Sequence, residues 1–284
     1  MKTIGIVGNG FVGGATALLE NEHVELFVYD LDPLKCSHHD LGLKDLTCCD
    51  FIFVCVPTPM DLDGSANTIL VDKIVIELID YGFNSERIII KSTVPVGTSK
   101  RLGAMFMPEF LTEKNWKKDF LNQADWILGT NDRNESIRDE LWSIFKSAHN
   151  SNILSNKPRM HFVTTEEAEL VKYTRNCFLA VKVSFFNEIH DFCTALDLDY
   201  DRVKDMVVLD SRITKSHTQV PGPDGKSGFG GTCFPKDMSA LQRQFSKIGI
   251  SNEGASVLEA SIKRNNKIDR PEKDWKNLKG RAVV

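Results

Sequence analysis

The first half of the chain alternates short apolar runs with stretches of helical periodicity. Segments between the runs, such as Val71–Tyr81 and Asn134–Ala148, repeat apolar residues at the 3.6-residue spacing of a helix. The runs predict strands, and most of them end in turn or polar residues: Thr3–Val7, Val24–Tyr29, Phe51–Val56, Arg87–Lys91, Ala104–Met107 and Trp126–Leu128. Because strands that alternate with helices form parallel sheets covered by helices, this half predicts an α/β fold with a Rossmann-type, doubly wound, mostly parallel sheet.

The pattern changes at Thr164, where helix signals replace strand signals. Thr164 and Glu167 have the spacing of a capping box, and an uninterrupted helical stretch follows to about Leu196. Apolar residues occupy much of the circumference of this long central helix. A helix of that kind is normally buried against several neighbours, so we expect it to pack against other helices and against a second subunit.

The rest of the chain predicts further helices and one long loop. Helices are expected over Tyr200–Leu209 and Met238–Asn265, and residues 219–237 form a loop rich in Gly and Pro. We therefore predict two domains, a Rossmann-type domain over 1–163 and an all-helical dimerisation domain over 164–284.

Composition excludes several classes of function. With 42% hydrophobic and 26% charged residues, a net charge of −4 and a pI near 6.0, the chain lacks the basic balance of a nucleic-acid-binding protein. No apolar run approaches the length of a membrane span, and glycines interrupt the apolar stretch after Met1. The seven cysteines include no CxxC pair, so we expect neither a zinc site nor a disulfide framework, and a cytoplasmic location.

Glycines follow the first predicted strand in the spacing of a dinucleotide-binding turn. Gly8, Gly10 and Gly13 form GxGxxG between a strand and a helix, and Asp30 ends the next strand. An acidic residue at Asp30 would bind the ribose hydroxyls and repel a 2′-phosphate, which favours NAD over NADP. A purely structural strand–helix turn is the alternative. The loops Cys55–Pro59 and Ser92–Thr98 also fall at the expected carboxyl edge of the sheet, where ligands of such sheets bind.

The segment Gly228–Asp237 carries the most specific chemical signal. Its glycines could expose the thiol of Cys233 to a ligand, with Lys236 nearby to favour the thiolate, although a lone cysteine is more often inert. Two other groups accompany it in the chain. Glu109 and Glu113 follow a strand, and Lys172 and Asn176 lie one helical turn apart in the most apolar helix; surface carboxylates and a solvated lysine are the simpler readings.

Six ordered segments resemble the UDP-glucose/GDP-mannose dehydrogenase family over nearly the whole chain. They are GNGFVG from Gly8, VPTP from Val56, STVPVGT from Ser92, MPEFLTE from Met107, AELVKYTRNCFLAVKVSFFNEI from Ala168 and VPGPDGKSGFGGTCFPKD from Val220. The resemblance implies NAD-dependent oxidation of the C6 alcohol of a nucleotide sugar, in two steps, to a carboxylate. UDP-glucose is the expected substrate; relatives acting on UDP-N-acetylhexosamine or GDP-mannose are alternatives.

Site residues follow from the resemblance, position by position. The implied catalytic residues are Cys233 as nucleophile, Lys172 and Asn176 at the oxyanion, Asp237 with an ordered water, Glu113 as general base and Thr93 holding water and cofactor. The implied cofactor contacts are Gly8, Gly10, Phe11, Val12, Gly13, Asp30, Lys35, Pro57, Thr58, Thr93 and Lys236. The implied substrate contacts are Glu109, Phe110, Leu111, Lys172, Asn176, Arg212, Phe229 and Gly230. No metal is implied.

The resemblance also carries expectations about partners and extent. Arg212 matches an arginine that reaches the neighbouring subunit's sugar site, which implies a homodimer. Met107 stands where the family has Asn, which puts one local turn contact in doubt. The family has a further UDP-binding domain, and Leu278–Val284 resembles its opening strand, so we expect that domain to be absent from this sequence. An inactive, NAD-binding partner of a longer subunit is a rival reading, and a two-electron β-hydroxyacid dehydrogenase is another, although it would not need the Cys233 loop.

Overall fold

The computed structural model describes residues 1–131, 135–250 and 256–284. The chain divides into two compact units. The first comprises residues 1–58 and 68–172, and the second comprises residues 59–67 and 173–284. The division falls within the long helix, which therefore contributes residues to both units.

The first unit is built on a single sheet of seven strands among the described residues. The strands are β1 (Lys2–Val7), β2 (Val24–Tyr29), β3 (Phe51–Val54), β4 (Ile88–Ile90), β5 (Met105–Phe106), β6 (Asp125–Gly129) and β7 (Arg159–Val163), in the order β2-β1-β3-β4-β5-β6-β7. All neighbouring pairs are parallel except β5 and β6, which pair antiparallel. The prediction of a doubly wound, mostly parallel sheet is confirmed.

Alternate residues of the central strands enter different hydrophobic clusters. Phe51 and Phe53 belong to one cluster, while Ile52 and Val54 belong to the other. All four are fully buried, because helices contribute apolar residues to both clusters. Those helices are α1 (Phe11–Thr16), α2 (Ile69–Asp80), α3 (Thr98–Leu102), α4 (Trp116–Leu121), α5 (Glu135–Asn150) and the start of α6 (Thr165–Ala195).

Strand β7 was not predicted from the sequence. Its residues include Arg159 and His161, and none of the five is fully buried, because β7 lies at the edge of the sheet. An edge strand of this kind lacks the apolar run that marks the central strands. The predicted helix Asn134–Ala148 is observed from Glu135; its first residue lies outside the described residues.

The second unit is helical. Besides the rest of α6 it contains α7 (Tyr200–Val207), α8 (Phe234–Lys247) and α9 (Val257–Arg264). Helices α8 and α9 pack with α6 around Tyr173, Cys177 and Met238, whereas α7 packs against Phe186 and Cys193 of α6. The segment 59–67 joins this unit, and Met60 N–H donates to the carbonyl of Ala282 at 2.9 Å. Residues 278–284 form isolated bridges, not a strand of a sheet.

The prediction of one helix over Met238–Asn265 is wrong. Helix α8 begins four residues earlier, at Phe234, with Pro235 in its first turn, so the predicted loop 219–237 ends at Cys233. The helix ends at Lys247, and Gly249 follows with φ of 74°. That left-handed conformation terminates helices and favours glycine. Residues 251–255, inside the predicted helix, lie outside the described residues.

The long helix α6 starts as predicted but leaves aromatic residues exposed. The capping box forms, since Thr164 N–H donates to Glu167 at 2.8 Å and Glu167 N–H donates to the Thr164 hydroxyl at 3.2 Å. Phe178, Phe185 and Phe192, at seven-residue intervals, are 66%, 55% and 61% exposed. That spacing puts the three rings along one stripe of the helix. In the described residues, no helix combines the length and apolarity that spanning a membrane requires.

Candidate active site

In the turn after β1, the backbone at Gly13 lies close to the backbone at Gly8, whereas the space beside Gly10 is open. Gly8 has φ of 92°, and a Cβ on Gly13 would lie 1.9 Å from the Gly8 carbonyl oxygen. A Cβ on Gly10 would meet no heavy atom within 4 Å. Only glycine fits at Gly13, whereas at Gly10 the protein itself leaves room beside the backbone. This open backbone before helix α1 suits the pyrophosphate of a dinucleotide.

The acidic residue that follows β2 contacts the same turn. Asp30 accepts the N–H of Asn9 at 2.7 Å through one carboxylate oxygen and the N–H of Asp32 at 2.9 Å through the other. The side chain of Asn9 donates to the carbonyl of Lys35 at 2.8 Å. Asp30 and Lys35 are thus held beside the glycine turn, as a ribose-binding role for Asp30 requires. Phe11 and Val12 open helix α1, directly after Gly10.

The loops after β3 and β4 are joined by side-chain hydrogen bonds. The hydroxyl of Thr58 donates to the carbonyl of Thr93 at 2.7 Å, and the hydroxyl of Ser92 donates to the carbonyl of Val56 at 2.6 Å. Pro57 is exposed beside the buried Thr58. Parallel strands end at a common edge of the sheet, and there the hydrogen bond between Thr58 and Thr93 joins the two loops, with Pro57 next to Thr58 in the chain.

Lys172 contacts the segment that contains Glu109. Its ammonium donates to the backbone carbonyl of Glu109, lies 3.7 Å from the Glu109 carboxylate and stands 5.5 Å from the centroid of the Phe110 ring. The Glu109 carboxylate also accepts the N–H of Leu111 at 2.6 Å. Glu113, predicted as the general base, is exposed. Of the two glutamates, Glu109 is the one beside Lys172.

A second buried lysine, Lys91, was not singled out from the sequence. It directly follows β4, and burial lowers the pKa of its ammonium, while neighbouring Cys55 and Glu109 raise it. Burial likewise raises the pKa of the Cys55 thiol to about 12. The available signal was a lysine at the end of an otherwise apolar run, Ile88–Ile90.

In the second unit, Cys233 and Asp237 lie at the start of helix α8. Cys233 is exposed at the N-cap, and its sulfur is 3.6 Å from the Thr232 hydroxyl. Asp237 is buried; one carboxylate oxygen accepts from the Asn176 amide at 2.6 Å and the other pairs with Lys236 at 2.5 Å. These contacts bring Asn176, Lys236 and Asp237 together. Negative charge that develops near Cys233 faces the N-terminus of a helix, which stabilises it.

The glycine loop before Cys233 is held by buried amides. Gly228 N–H donates to Asn187 at 3.0 Å, and the side chain of Asn265 both accepts from the Phe229 N–H at 2.8 Å and donates to the Phe229 carbonyl at 3.0 Å. A Cβ on Gly230 would lie 2.5 Å from the guanidinium carbon of Arg270. Asn187, Asn265 and Arg270 are distant from the loop in sequence, and no local sequence pattern indicates these contacts.

Arg270 and Arg212 differ in their surroundings. Arg270 is buried, and its guanidinium pairs with Asp224 at 2.6 Å and Asp274 at 2.7 Å. Arg212 is exposed and pairs with Asp210 of its own chain. Among residues 1–131, 135–250 and 256–284, no group of three or more His, Cys, Asp or Glu side chains could hold a metal ion.

Two family models match the chain. The NAD-binding domain of the UDP-glucose/GDP-mannose dehydrogenase family matches residues 41–149, and the central domain of that family matches residues 166–267. The first domain overlaps the sheet that carries the glycine turn, and the second contains α6, the Cys233 loop and α8.

Individual relatives extend the match over the whole chain. UDP-glucose 6-dehydrogenase TuaD of Bacillus subtilis is 30% identical over 100% of this chain and 68% of its own length. A UDP-glucose 6-dehydrogenase of Rickettsia bellii is 32% identical, over 78% of this chain and 50% of its own length. The structure of a UDP-glucose dehydrogenase from Pyrobaculum islandicum, 25% identical, superposes with a TM-score of 0.78 over 94% of this chain and 68% of that one. This chain belongs to the UDP-glucose/GDP-mannose dehydrogenase family.

Proposed function

We propose that this protein oxidises the C6 alcohol of a nucleotide sugar to a carboxylate with two molecules of NAD, and that the sugar is UDP-glucose. The observation that carries the proposal is the group at the start of α8. An exposed thiol, Cys233, stands one helical turn before a buried carboxylate, Asp237, that is held by Asn176 and Lys236. A simple alcohol dehydrogenase needs no thiol, whereas an enzyme that carries an aldehyde to the acid needs a nucleophile.

The chemistry balances through a covalent intermediate on Cys233. The first oxidation removes a hydride and a proton from the alcohol and gives an aldehyde. The sulfur then bonds to the aldehyde carbon, forming a thiohemiacetal. The second oxidation removes a further hydride and proton and gives a thioester. Water breaks the carbon–sulfur bond, which releases the carboxylate and regenerates the thiol. In sum, one alcohol, one water and two NAD give one carboxylate, two NADH and three protons.

Lys172, Asn176 and Asp237 serve the charged stages of this sequence. We assign to Lys172 and Asn176, one helical turn apart on α6, the stabilisation of negative charge on the substrate oxygen. Asp237 holds the hydrolytic water. Glu113 is the proposed general base. The contact of Lys172 with Glu109, and the exposure of Glu113, support Glu109 as the alternative base.

The proposed cofactor residues belong to the first unit, except Lys236, which belongs to the second. NAD, when bound, supplies the hydride acceptor for both oxidations. Gly10 leaves the backbone open to the pyrophosphate, and Asp30 binds the ribose hydroxyls. The hydrogen bond from the Thr58 hydroxyl to the Thr93 carbonyl fixes Thr93, which also contacts the cofactor. Phe11, Val12, Gly8, Gly13, Lys35 and Pro57 complete the proposed cofactor contacts.

We assign the sugar to Glu109–Leu111, Phe229 and Gly230, and the assembly to a homodimer through α6. The stripe of exposed Phe178, Phe185 and Phe192 supports a second copy covering that helix. Arg212, exposed on its own subunit, then acts at the neighbour's sugar site. A cytoplasmic location fits the free thiols of such an enzyme.

Other substrates and a non-catalytic role are the competing proposals. UDP-N-acetylhexosamine and GDP-mannose are the alternative sugars, and a chain that binds NAD without oxidising a sugar, as the partner of another subunit, is the non-catalytic alternative.

Counting the NADH formed per sugar consumed tests the proposal. UDP-glucose should yield two NADH and UDP-glucuronate. One NADH indicates a simple dehydrogenase, and none, with NAD still bound, indicates the non-catalytic partner. A panel with the two alternative sugars identifies the substrate.

Replacing the nucleophile tests the covalent step within the same assay. Cys233→Ser should abolish uronate release while leaving the Kd for NAD unchanged, because the thioester can no longer form. Cys48→Ser, at the other exposed thiol, is the matched control and should behave like the wild type. Uronate formation at the normal rate by Cys233→Ser would remove Cys233 from the mechanism.

A further inference from the structure

Glu169 is a buried carboxylate of the first unit that the proposed chemistry does not use. It lies on α6, has no exposed surface, and its two oxygens accept the N–H groups of Gly97 at 2.6 Å and Ser99 at 2.8 Å. Burial raises the pKa of this carboxyl, and the backbone donors oppose the shift. Burying a carboxylate costs free energy that good hydrogen bonds only partly offset. The buried position of Glu169 therefore indicates that it serves to hold the N–H groups of Gly97 and Ser99.

The two donors belong to the start of helix α3. The first N–H groups of a helix have no partner inside the helix and need an acceptor from elsewhere. Gly97 occupies the N-cap of α3 with φ of 94° and has no side chain to serve as that acceptor. Glu169 therefore supplies, from a different helix, the cap that the local sequence of α3 lacks.

The loop that leads into α3 is also fixed at its other end. Ser92 donates to the carbonyl of Val56 at 2.6 Å, and Thr58 donates to the carbonyl of Thr93 at 2.7 Å. The loop Ser92–Thr98 is thus hydrogen-bonded at its start to Val56 and Thr58, which follow β3, and at its end to Glu169. Thr93, the residue proposed to hold the cofactor, takes part in the first of these attachments through its carbonyl.

The helix that carries Glu169 also carries Lys172, three residues later. Lys172 contacts Glu109, and the first turn of α6 packs closely on β6, where a Cβ on Gly129 would lie 2.8 Å from the Ala168 Cβ. A displacement of this turn would therefore move Lys172 relative to the loop that bears Thr93.

We propose that Glu169 is a positioning residue that couples the Thr93 loop to the part of α6 that carries Lys172. The carboxylate fixes the position of Thr93, which is proposed to contact the cofactor, relative to Lys172, which is proposed to contact the substrate. The inference rests on the proposed cofactor role of Thr93, and it adds a residue to which that proposal gives no role.

The affinity for NAD, measured on the whole chain by calorimetry without any sugar, tests the coupling. Glu169→Gln keeps the shape but offers one acceptor oxygen to two N–H groups, so the loop should lose one attachment. We expect the Kd for NAD to rise by about three- to tenfold. A merely structural role would lower the fraction of folded protein, and hence the binding stoichiometry, while leaving the Kd of the folded protein unchanged.

Two controls separate the possible outcomes. Glu166→Gln makes the same change one turn earlier, at a partly exposed carboxylate that pairs with Lys100 of α3 at 2.5 Å, and should leave the Kd within about twofold of the wild type. Thr93→Ala should raise the Kd if Thr93 holds the cofactor. A raised Kd in Thr93→Ala with an unchanged Kd in Glu169→Gln would overturn the coupling. An unchanged Kd in Thr93→Ala would remove the role of Thr93 and with it this inference. Neither outcome depends on sugar oxidation.

Discussion

Two glycine-rich segments of this chain, Gly8–Gly13 and Gly228–Gly231, differ in what surrounds their backbone. In the first, the tight contact is backbone to backbone, at Gly13, and the space beside Gly10 is empty. In the second, buried side chains fill the space: a Cβ on Gly228 would lie 2.3 Å from Asn265, and one on Gly230 would lie 2.5 Å from Arg270.

The difference separates two reasons for using glycine. At Gly10, glycine leaves room for something outside the protein, as a ligand-binding turn requires. At Gly228 and Gly230, glycine lets the protein's own polar side chains approach the backbone and hold it. The first segment offers its backbone to a ligand, and the second holds the chain in place before Cys233.

Replacing Gly13 should have the largest effect on this comparison. In Gly13→Ala the new methyl would meet the Gly8 carbonyl oxygen at 1.9 Å, so the turn must open. We expect a loss of about 3 kcal/mol in the free energy of unfolding and no measurable NAD binding. Thermal unfolding and calorimetry provide the two measurements.

Gly10→Ala is the matched control for Gly13→Ala. Because nothing lies within 4 Å of the added methyl, the melting temperature should stay near that of the wild type, while NAD binding weakens. Unchanged NAD affinity in Gly10→Ala would contradict the assignment of the open space to the cofactor.

The local parts of this comparison could be predicted from sequence, and the long-range parts could not. The GxGxxG spacing and the apolar runs of β1 to β4 are local patterns, so the turn and the sheet were predicted. The exposed edge strand β7 has no such run, and the break after Lys247 depends on the backbone conformation of Gly249.

The same limit applies to the candidate site. Asn176, Lys236 and Asp237 were singled out from the sequence, and the structure groups them. Asn265 and Arg270, which hold the Cys233 loop, are far from it in sequence. Asn265 and Phe229, for example, are 36 residues apart. Nothing in their own neighbourhood indicates that contact, because it arises only from tertiary packing.

Asp30 gives the next largest expected effect, on cofactor choice in the first segment. Its carboxylate is hydrogen-bonded to Asn9 in the glycine turn, where it would face the extra phosphate of NADP. Like charges at a few ångströms cost about 1–4 kcal/mol, so Asp30→Ser should reduce the preference for NAD by a corresponding factor. The ratio of kcat/KM, or of Kd, for the two cofactors is the measurement.

Asp32→Ser removes a nearby carboxylate as the control. Asp32 caps the short turn at Leu34 and does not contact Asn9 through its side chain in the described structure, so its loss should leave the cofactor preference unchanged. Equal use of NAD and NADP by the unaltered protein would show that Asp30 does not lie at the ribose.

The smallest effect is expected from Gly230→Ala in the second segment. This variant tests whether Arg270 holds the backbone of Gly228–Gly231 in place. In Gly230→Ala the methyl would displace a guanidinium that is buried and paired with Asp224 and Asp274, which should cost about 1–3 kcal/mol in the free energy of unfolding. In Gly231→Ala the methyl meets no heavy atom within 4 Å, so only the φ of 73° at this position should destabilise the variant, by about 1 kcal/mol.

Both variants should bind NAD normally, since neither touches the first segment. Gly230→Ala alone should slow uronate release, because it displaces the loop that presents Cys233. Denaturant unfolding, NAD calorimetry and product formation measure the three properties. Equal losses of stability and of product formation in the two variants would mean that backbone conformation, and not Arg270, sets the shape of this loop.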